Sequence, residues 1–293
     1  MAKRSRSKAP RVSVTVIGSG NVAQALAPAL RRAGYKVDAV LSRPAALSVR
    51  RARALALKVG AERGNIGVHT ISSKLTWLCV SDDTIAQVAS RIAIDDWGGK
   101  FVFHSGGALG SDELAVLNRR GAAVASVHPM MTFVAGVQPR LKGVPFGIEG
   151  DVRAVRLARQ IVRHLGGKGF AIHEDAKPLY HAVGSFASPM IIATLATAER
   201  VAEAAGIPRA KAARVMGPIL NRTLENYFRG GTSAAFSGPI HRSDVITLRK
   251  HLEALKKVPG AREVYLALAR SALRSIPVRD RKAVARALRV SRF

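Results

Sequence analysis

The sequence predicts an α/β chain: a doubly wound, mostly parallel sheet followed by an all-α C-terminal domain. Three observations carry this reading. Up to about residue 173, short apolar runs alternate with helical patterns, as in a parallel sheet covered on both faces. After Glu174 the strand signal stops and long helical patterns take over. At the first junction an apolar run ending at Ile17 meets Gly18-Ser19-Gly20 and then an uninterrupted helical pattern.

Taken in order, the strand candidates are 12–17, 36–41, 66–70, 75–80, 100–104, 122–127, 144–149 and 168–173. Between them Asn21–Ala33, Pro44–Val59, Asp83–Ile94, Asp112–Arg119 and Val152–Leu165 have helical spacing, with Asp82 and Ser111 placed to cap helix starts. In the fifth helix Val155, Ala158, Ile161, Val162 and Leu165 share one face, and Arg153, Arg156, Arg159 and Arg163 lie off it. The helical part reads as Ala176–Ala205, Arg209–Arg229, Arg242–Lys257, Ala261–Ser275 and a short basic helix at Arg279–Arg289. Gly206-Ile207-Pro208, Gly230-Gly231, Gly238-Pro239 and Pro259-Gly260 break these patterns. Three segments follow: a basic disordered tail at 1–10, a sheet domain at 11–173 and a helical substrate and dimerisation domain at 174–293, with the substrate cleft expected between the last two.

The first turn carries the chemistry. Gly18 suits a tight strand-to-helix turn, Gly20 lets backbone approach a pyrophosphate, and the small Ala23 permits close helix–strand packing. Phosphates would sit on the helix N-terminus, where free N–H groups and the dipole favour anions. Gly18, Ser19, Gly20, Asn21, Val22 and Ala23 are therefore candidates for holding a dinucleotide in a Rossmann-type domain. About 20 residues on, where an NAD enzyme places its acidic ribose ligand, the chain has Ser42-Arg43. A hydroxyl beside a guanidinium suits a 2′-phosphate, so NADP is expected in preference to NAD. The competing reading makes Arg43 a solvated residue in a very basic chain.

The 47 Lys and Arg against 19 Asp and Glu give a formal charge of +28 over 293 residues. The excess is spread over almost every helix, no nucleic-acid motif is visible, and aromatics are only 5%, thin for base stacking. A general arginine bias is preferred to a dedicated nucleic-acid face. Cys79 is the single cysteine, which excludes an intramolecular disulfide and a cysteine metal site and fits a reducing cytoplasm; no metal is expected. From His181 to Ala198 there is no Asp, Glu, Lys or Arg, approaching the length of a membrane span. With Gly184, Ser185, Ser188 and Pro189 inside it, the segment reads instead as a helix buried in a bundle or a subunit interface, which points to a homodimer and no membrane.

Further candidates lie at strand ends and at the junction. In Val80-Ser81-Asp82-Asp83-Thr84-Ile85, Val80 and Asp82 lie near where a nicotinamide ribose would be, and a capped helix start fits equally well. Phe103-His104-Ser105-Gly106-Gly107 is a polar turn at a strand's C-terminal end, where open α/β sheets bind ligands. His128, locked before Pro129, is extended at a loop mouth, with a structural role as the alternative. Lys177, Tyr180 and His181 sit three and four apart on one helix, placed to supply a proton to a carbonyl or imine receiving hydride. Ser237-Gly238-Pro239-Ile240-His241-Arg242-Ser243-Asp244 is a rigid turn that either reaches the cleft or holds two helices together.

The succession G-S-G-N-V-A, V-S-D-D-T-I, H-S-G, V-H-P-M-x-T-F, P-F-x-I-E-G-D, L-Y-H-A and G-P-I-x-R-x-D, over about residues 11–275, resembles a bacterial Rossmann-like family with a C-terminal domain of unknown function, labelled NADP oxidoreductases. More distantly it is similar to pyrroline-5-carboxylate reductase, β-hydroxyacid dehydrogenases and deazaflavin-dependent NADP reductases. The resemblance implies NAD(P) binding and dimerisation through the helical part; it supplies no substrate. It places Ser105, His128, Tyr180, His181, Arg242 and Asp244 among the family's recurrent polar positions. Many relatives have Ser-Asn where this chain has Ser188-Pro189, which removes an Asn that binds substrate in β-hydroxyacid dehydrogenases. The expected function is hydride transfer between NADP and a small carbonyl, imine or hydroxy compound. Ser105 and His128 would orient the substrate, His181 with Lys177 or Tyr180 would handle the proton, and Arg242, with Asp244 close by, would pair a carboxylate. The rival readings are an NADP-binding sensor or scaffold without turnover and, ranked last, a polyanion-binding or nucleic-acid-binding protein.

Overall fold

Residues 12–137 and 140–289 are described by a computed structural model, so the tail expected at 1–10 lies outside the described residues. Contacts divide the chain into two units between Phe186 and Ala187.

The first unit opens with β1 (Ser13–Ile17), the glycine turn and α1 (Asn21–Arg32). Then come β2 (Lys36–Ser42), α2 (Ala46–Val59), β3 (Glu62–Asn65) and β4 (Leu75–Leu78). A 3₁₀ turn leads to α3 (Ile85–Ile92), and β5 (Phe101–His104) precedes a second 3₁₀ turn and the one-turn α4 (Ala115–Asn118). The unit closes with β6 (Ala123–Pro129), β7 (Pro145–Gly150), α5 (Val152–His164), β8 (Lys168–Ala171) and α6 (Lys177–Ala187). The strand order is β3-β2-β1-β4-β5-β6-β7-β8, parallel throughout except for β6 against β7. The order reverses between β1 and β4, which puts a ligand crevice at the carboxyl ends of those strands.

Local chemistry explains the elements. Val14, Val16, Val40, Leu41, Trp77 and Phe103 have no solvent exposure, as expected of central strands buried on both faces. The inner face of α5 buries Ala154, Ala158, Ile161 and Val162 and leaves its arginines outside. Gly60 ends α2 in the left-handed region, where a side chain is disfavoured.

Three local expectations are corrected. The third strand is Glu62–Asn65, not 66–70, because the polar edge segment pairs with β2 while Val68 points into solvent. Asp82 and Ser111 cap no helix: the Asp82 carboxylate accepts the Ala108 N–H at 3.4 Å, and the Ser111 hydroxyl donates to Glu149 Oε2 at 2.8 Å. The single helix expected over 176–205 is two, α6 and α7 (Pro189–Ala204), parted at Ser188 (φ −134°, ψ −82°).

The second unit is helical: α7, α8 (Arg209–Ala235) broken at Gly231, α9 (Pro239–Arg242), α10 (Val245–Ala254), α11 (Ala261–Ser275) and α12 (Arg281–Ala287). Leu248, Leu252, Leu266, Ala269, Leu273, Val284 and Leu288 form its core. Lys177–Ala204 is long and apolar enough to cross a membrane by length and composition only, it is parted at Ser188, and almost none of its most apolar stretch is buried. The expectation of a helix buried within the chain's own bundle is therefore corrected. Phe186 in the first unit is 72% exposed, and Ile192, Ile219 and Phe228 in the second are 63%, 69% and 81% exposed, so these apolar side chains are uncovered in the single chain.

Candidate active site

At the crevice between the ends of β1 and β2 lies a cavity of about 420 Å³, lined among others by Gly18, Ser19, Gly20, Ser42, Arg43, Ser48, Arg51, Val80 and Arg91. Gly18 has φ +114° and donates its N–H to the Leu41 carbonyl at 2.8 Å. A Cβ there would stand 2.2 Å from the Cys79 carbonyl oxygen, so only glycine makes the turn. Gly20 is different. Its backbone (φ −73°, ψ −175°) is open to any residue, and a Cβ on it would meet nothing within 4 Å. The reason for glycine at 20 thus lies outside the chain's own packing, in free space at the N-terminus of α1.

The other residues of the turn are spent internally. The Ser19 hydroxyl donates to the Ser48 carbonyl at 3.1 Å, and the Asn21 amide donates to the Phe133 carbonyl at 2.8 Å. Asn21 therefore anchors the loop that follows β6, and Ala23, fully buried, packs in the sheet core with Val22 against it. Ser42 is 2% exposed and its Oγ has no hydrogen-bond partner. Such an orphan costs about 1–3 kcal/mol unless a ligand satisfies it. Arg43 is exposed and donates from Nε to Ser48 Oγ at 3.2 Å. Arg51 and Arg91 complete a trio of guanidiniums, and among the described residues no carboxylate lines the cavity. Sequence reasoning missed Ser48, Arg51 and Arg91, although the placement of 48 and 51 on the first turns of α2 was a usable signal. Asp82 does not line this cavity, because its carboxylate turns to the Gly106–Ala108 loop.

The second constellation gathers at the carboxyl ends of β5 and β6 under α6. Lys177 is fully buried; its Nζ donates to Ser126 Oγ at 2.5 Å and to the Gly106 carbonyl at 3.1 Å. Burial lowers its pKa, opposed by the charges of Glu149 and Asp82. The Gly106 N–H donates to His104 Nδ1 at 3.0 Å, so the proton sits on His104 Nε2, which donates to the Gly110 carbonyl at 2.8 Å. Burial pushes His104 down to about 4. Glu149, raised by burial, accepts the Ser111 N–H and hydroxyl, each at 2.8 Å.

Tyr180 Oη lies 2.9 Å from His128 Nδ1, with the rings edge to face. Burial pushes the Tyr180 phenol up to about 12 and His128 down to about 4, the latter helped by the Lys177 charge. The Tyr180 hydroxyl also donates to the His128 carbonyl at 3.3 Å. His181 is exposed, and its ring centroid is 5.9 Å from that of His128. The His181 and His128 rings both pack against Gly107 and leave no room there for a side chain.

Of the expected proton-handling residues, His181 alone is exposed; Lys177 and Tyr180 are held inside. Ser105 is also committed, since Trp77 Nε1 donates to its Oγ at 2.9 Å. His104 was missed as a cluster member, although it adjoins the expected Ser105. In the second unit Asp244 is a helix cap, accepting the Thr247 N–H at 3.0 Å and its hydroxyl at 2.7 Å; those bonds hold its pKa down. Arg242 is exposed at the end of α9.

A doubly wound parallel sheet with a glycine turn at its reversal point defines the first part as a Rossmann-like domain. Residues 2–129 match the Rossmann-like domain family, and residues 144–272 match DUF2520, a domain of unknown function. The chain is a Rossmann-like protein with a DUF2520 C-terminal domain. No curated protein sequence matches it. Among solved structures, it is similar to a Bacteroides fragilis protein provisionally described as an NADP oxidoreductase, at 25% identity over 89% of this chain and 97% of that one, with a TM-score of 0.72. A Thermotoga maritima protein matches at 21% identity over 88% and 96% of the two chains, TM-score 0.70. The imine reductase of Myxococcus stipitatus, solved with NADP⁺, matches at 16% identity over 94% and 100%, TM-score 0.67; that likeness is one of fold.

Proposed function

We propose that this protein is an NADP-dependent oxidoreductase that moves hydride between nicotinamide and a small carbonyl, imine or hydroxy compound. The observation that carries the reading is the cavity at the end of β2, which presents Arg43, Arg51 and Arg91, an unsatisfied Ser42 hydroxyl and, among the described residues, no carboxylate. These residues fit a phosphorylated ribose, and Gly20 leaves room for a pyrophosphate. Backbone N–H groups at Gly18–Gly20 and the start of α1 would hold the pyrophosphate, while Ser42, Arg43, Ser48 and Arg51 would hold the 2′-phosphate. When bound, NADP supplies the hydride acceptor or donor. The similarity to the Bacteroides fragilis and Myxococcus stipitatus proteins supports the same reading.

The test is a fluorescence titration with NADPH and NADH at moderate and high salt. NADPH binding is expected to saturate, to survive salt, and to weaken about 10-fold to 100-fold in Arg43→Asp, the worth of one or two charge-assisted hydrogen bonds. Binding of both nucleotides that vanishes with salt identifies a polyanion binder instead. The internal commitment of Lys177 and Tyr180 favours a second reading, a coenzyme-binding sensor, which predicts NADPH binding without hydride transfer to any substrate. We further propose a homodimer that covers the exposed apolar helices. Light scattering is expected to give twice the chain mass, and Phe228→Glu to shift it towards one.

A further inference from the structure

Independently of the coenzyme reading, we propose a second ligand site. The cavity between the C-terminal ends of α1 and α5 takes a small organic polyanion, with carboxylate or phosphate groups on a compact apolar skeleton. It holds about 540 Å³ and lies wholly within the first unit. Its apolar lining is the buried Ala25, Pro28, Ala29, Leu141 and Leu165. Its exposed lining is basic: Arg32, Arg140, Lys142 and His164. No carboxylate lines it among the described residues, and residues 1–11, 138–139 and 290–293 contain no Asp or Glu.

The basic composition of the chain does not by itself account for this gathering. Charge is sorted by place within the unit. The cavity beside Gly110 is lined by Asp112, Glu113, Glu174 and Asp175, whereas α1, α2 and α5 contain no acid. Arg32, Arg140 and Lys142 enter no ion pair among the described residues.

The helix ends do not account for it either. Cations favour helix C-termini, where they can cap the last carbonyls and face the dipole. Here backbone already takes those carbonyls. After α1 the Gly34 and Tyr35 N–H groups donate to the Arg31 and Leu30 carbonyls, with Gly34 at φ +89°. After α5 the Gly166 and Gly167 N–H groups donate to the Arg163 and Val162 carbonyls, with Gly166 at φ +78°. Arg140 and Lys142 belong to neither helix and reach the cavity from the segment before β7.

His164 is held in place from inside. The hydroxyl of Tyr35, itself 1% exposed, lies 2.6 Å from His164 Nδ1, which leaves Nε2 as the ring nitrogen open to a ligand. Like charges on one rim repel one another, and an anion among them removes that cost. Guanidiniums bind carboxylate or phosphate oxygens in pairs, while a carbon skeleton covers the apolar lining.

The experiment titrates the full-length protein with inorganic phosphate, phenyl phosphate and benzene-1,3,5-tricarboxylate at moderate and high salt. Methyl ¹³C–¹H and imidazole ¹⁵N–¹H spectra report where each probe sits. Both aromatic probes are expected to shift Ala25, Ala29, Leu141 and His164 and to bind at least about 10-fold more tightly than phosphate, the worth of covering one face of a ring. The tighter of the two names the charged group of the ligand. The double variant Arg140→Glu, Lys142→Glu changes two exposed side chains. It is expected to weaken both aromatic probes at least about 10-fold at an unchanged urea midpoint. Arg32→Gln, on the other wall, is expected to give a smaller loss in the same direction and serves if the double variant does not fold. The proposal is overturned if phosphate binds as tightly as the aromatic probes, if all binding vanishes at high salt, or if the shifts fall only at Gly20 and Ser42. None of these outcomes requires NADPH to bind, so this site and the coenzyme reading fail separately.

Discussion

In the cavity between β1 and β2 the polar groups are largely unspent, whereas at Gly107 nearly all of them are paired. Ser42 Oγ has no partner, Arg43 spends one N–H on Ser48, and Gly20 fronts open space. Under α6, by contrast, Lys177 bonds Ser126 and the Gly106 carbonyl, Glu149 bonds Ser111, His104 bonds the Gly106 and Gly110 backbone, and Tyr180 bonds His128. The cavity is suited to a ligand of opposite charge that completes it. The cluster is completed by the chain, so its order depends on buried charges that folding must desolvate. The two are linked through Asn21, which ties the glycine turn to the loop after His128.

The largest expected effect breaks the cavity at its backbone. Gly18→Val forces a β-branched side chain into φ +114° and onto the Cys79 carbonyl. It is expected to cost about 3–5 kcal/mol in urea unfolding and to abolish NADPH binding. Unchanged stability would mean that the turn relaxes freely.

The next effect belongs to the cluster. His104 and His128 ionise near 6.5 when unfolded and near about 4 when folded. The unfolded chain then binds more protons between these values, so the stability contributed above pH 6.5 is lost as pH falls towards 4. Unfolding at pH 7 and pH 5 is expected to differ by about 2 kcal/mol for each imidazole. His128→Asn should flatten the dependence; an unaltered slope would remove His128 from the account.

The smallest effect sharpens the link. Asn21→Ala is expected to cost about 1 kcal/mol of stability, the worth of its bond to Phe133, with little change in NADPH affinity. A tenfold loss of affinity at unchanged stability would restore Asn21 as a coenzyme ligand.

Much of the cavity was legible in the chain. Gly18, Gly20, Ser42 and Arg43 are close in sequence to the turn and strand that place them, and backbone conformation and register carry them to one crevice. Ser48 and Arg51 follow from the same register once α2 is placed, but Arg91 arrives from another helix and needs the fold. At Gly107 the chain named His128, Lys177, Tyr180 and His181 yet not their division of labour. Lys177 and His181 sit four apart on one helix, and a single turn of packing buries the first and exposes the second. Asp82 looked like a ligand or a cap by its neighbours; it caps no helix, and its carboxylate accepts the Ala108 N–H across 26 residues.

The sequence by itself determined the alternation of strands and helices, the glycine turn and the absence of an acid after β2. All of these are set by local sterics and periodicity within a few residues. Only the tertiary structure decided which hydroxyl stays unpaired, which lysine is sealed inside and where two imidazole rings pack. Those outcomes depend on groups far apart in the chain, such as the Gly106 carbonyl and the Lys177 ammonium, meeting as hydrogen-bond partners in a buried space.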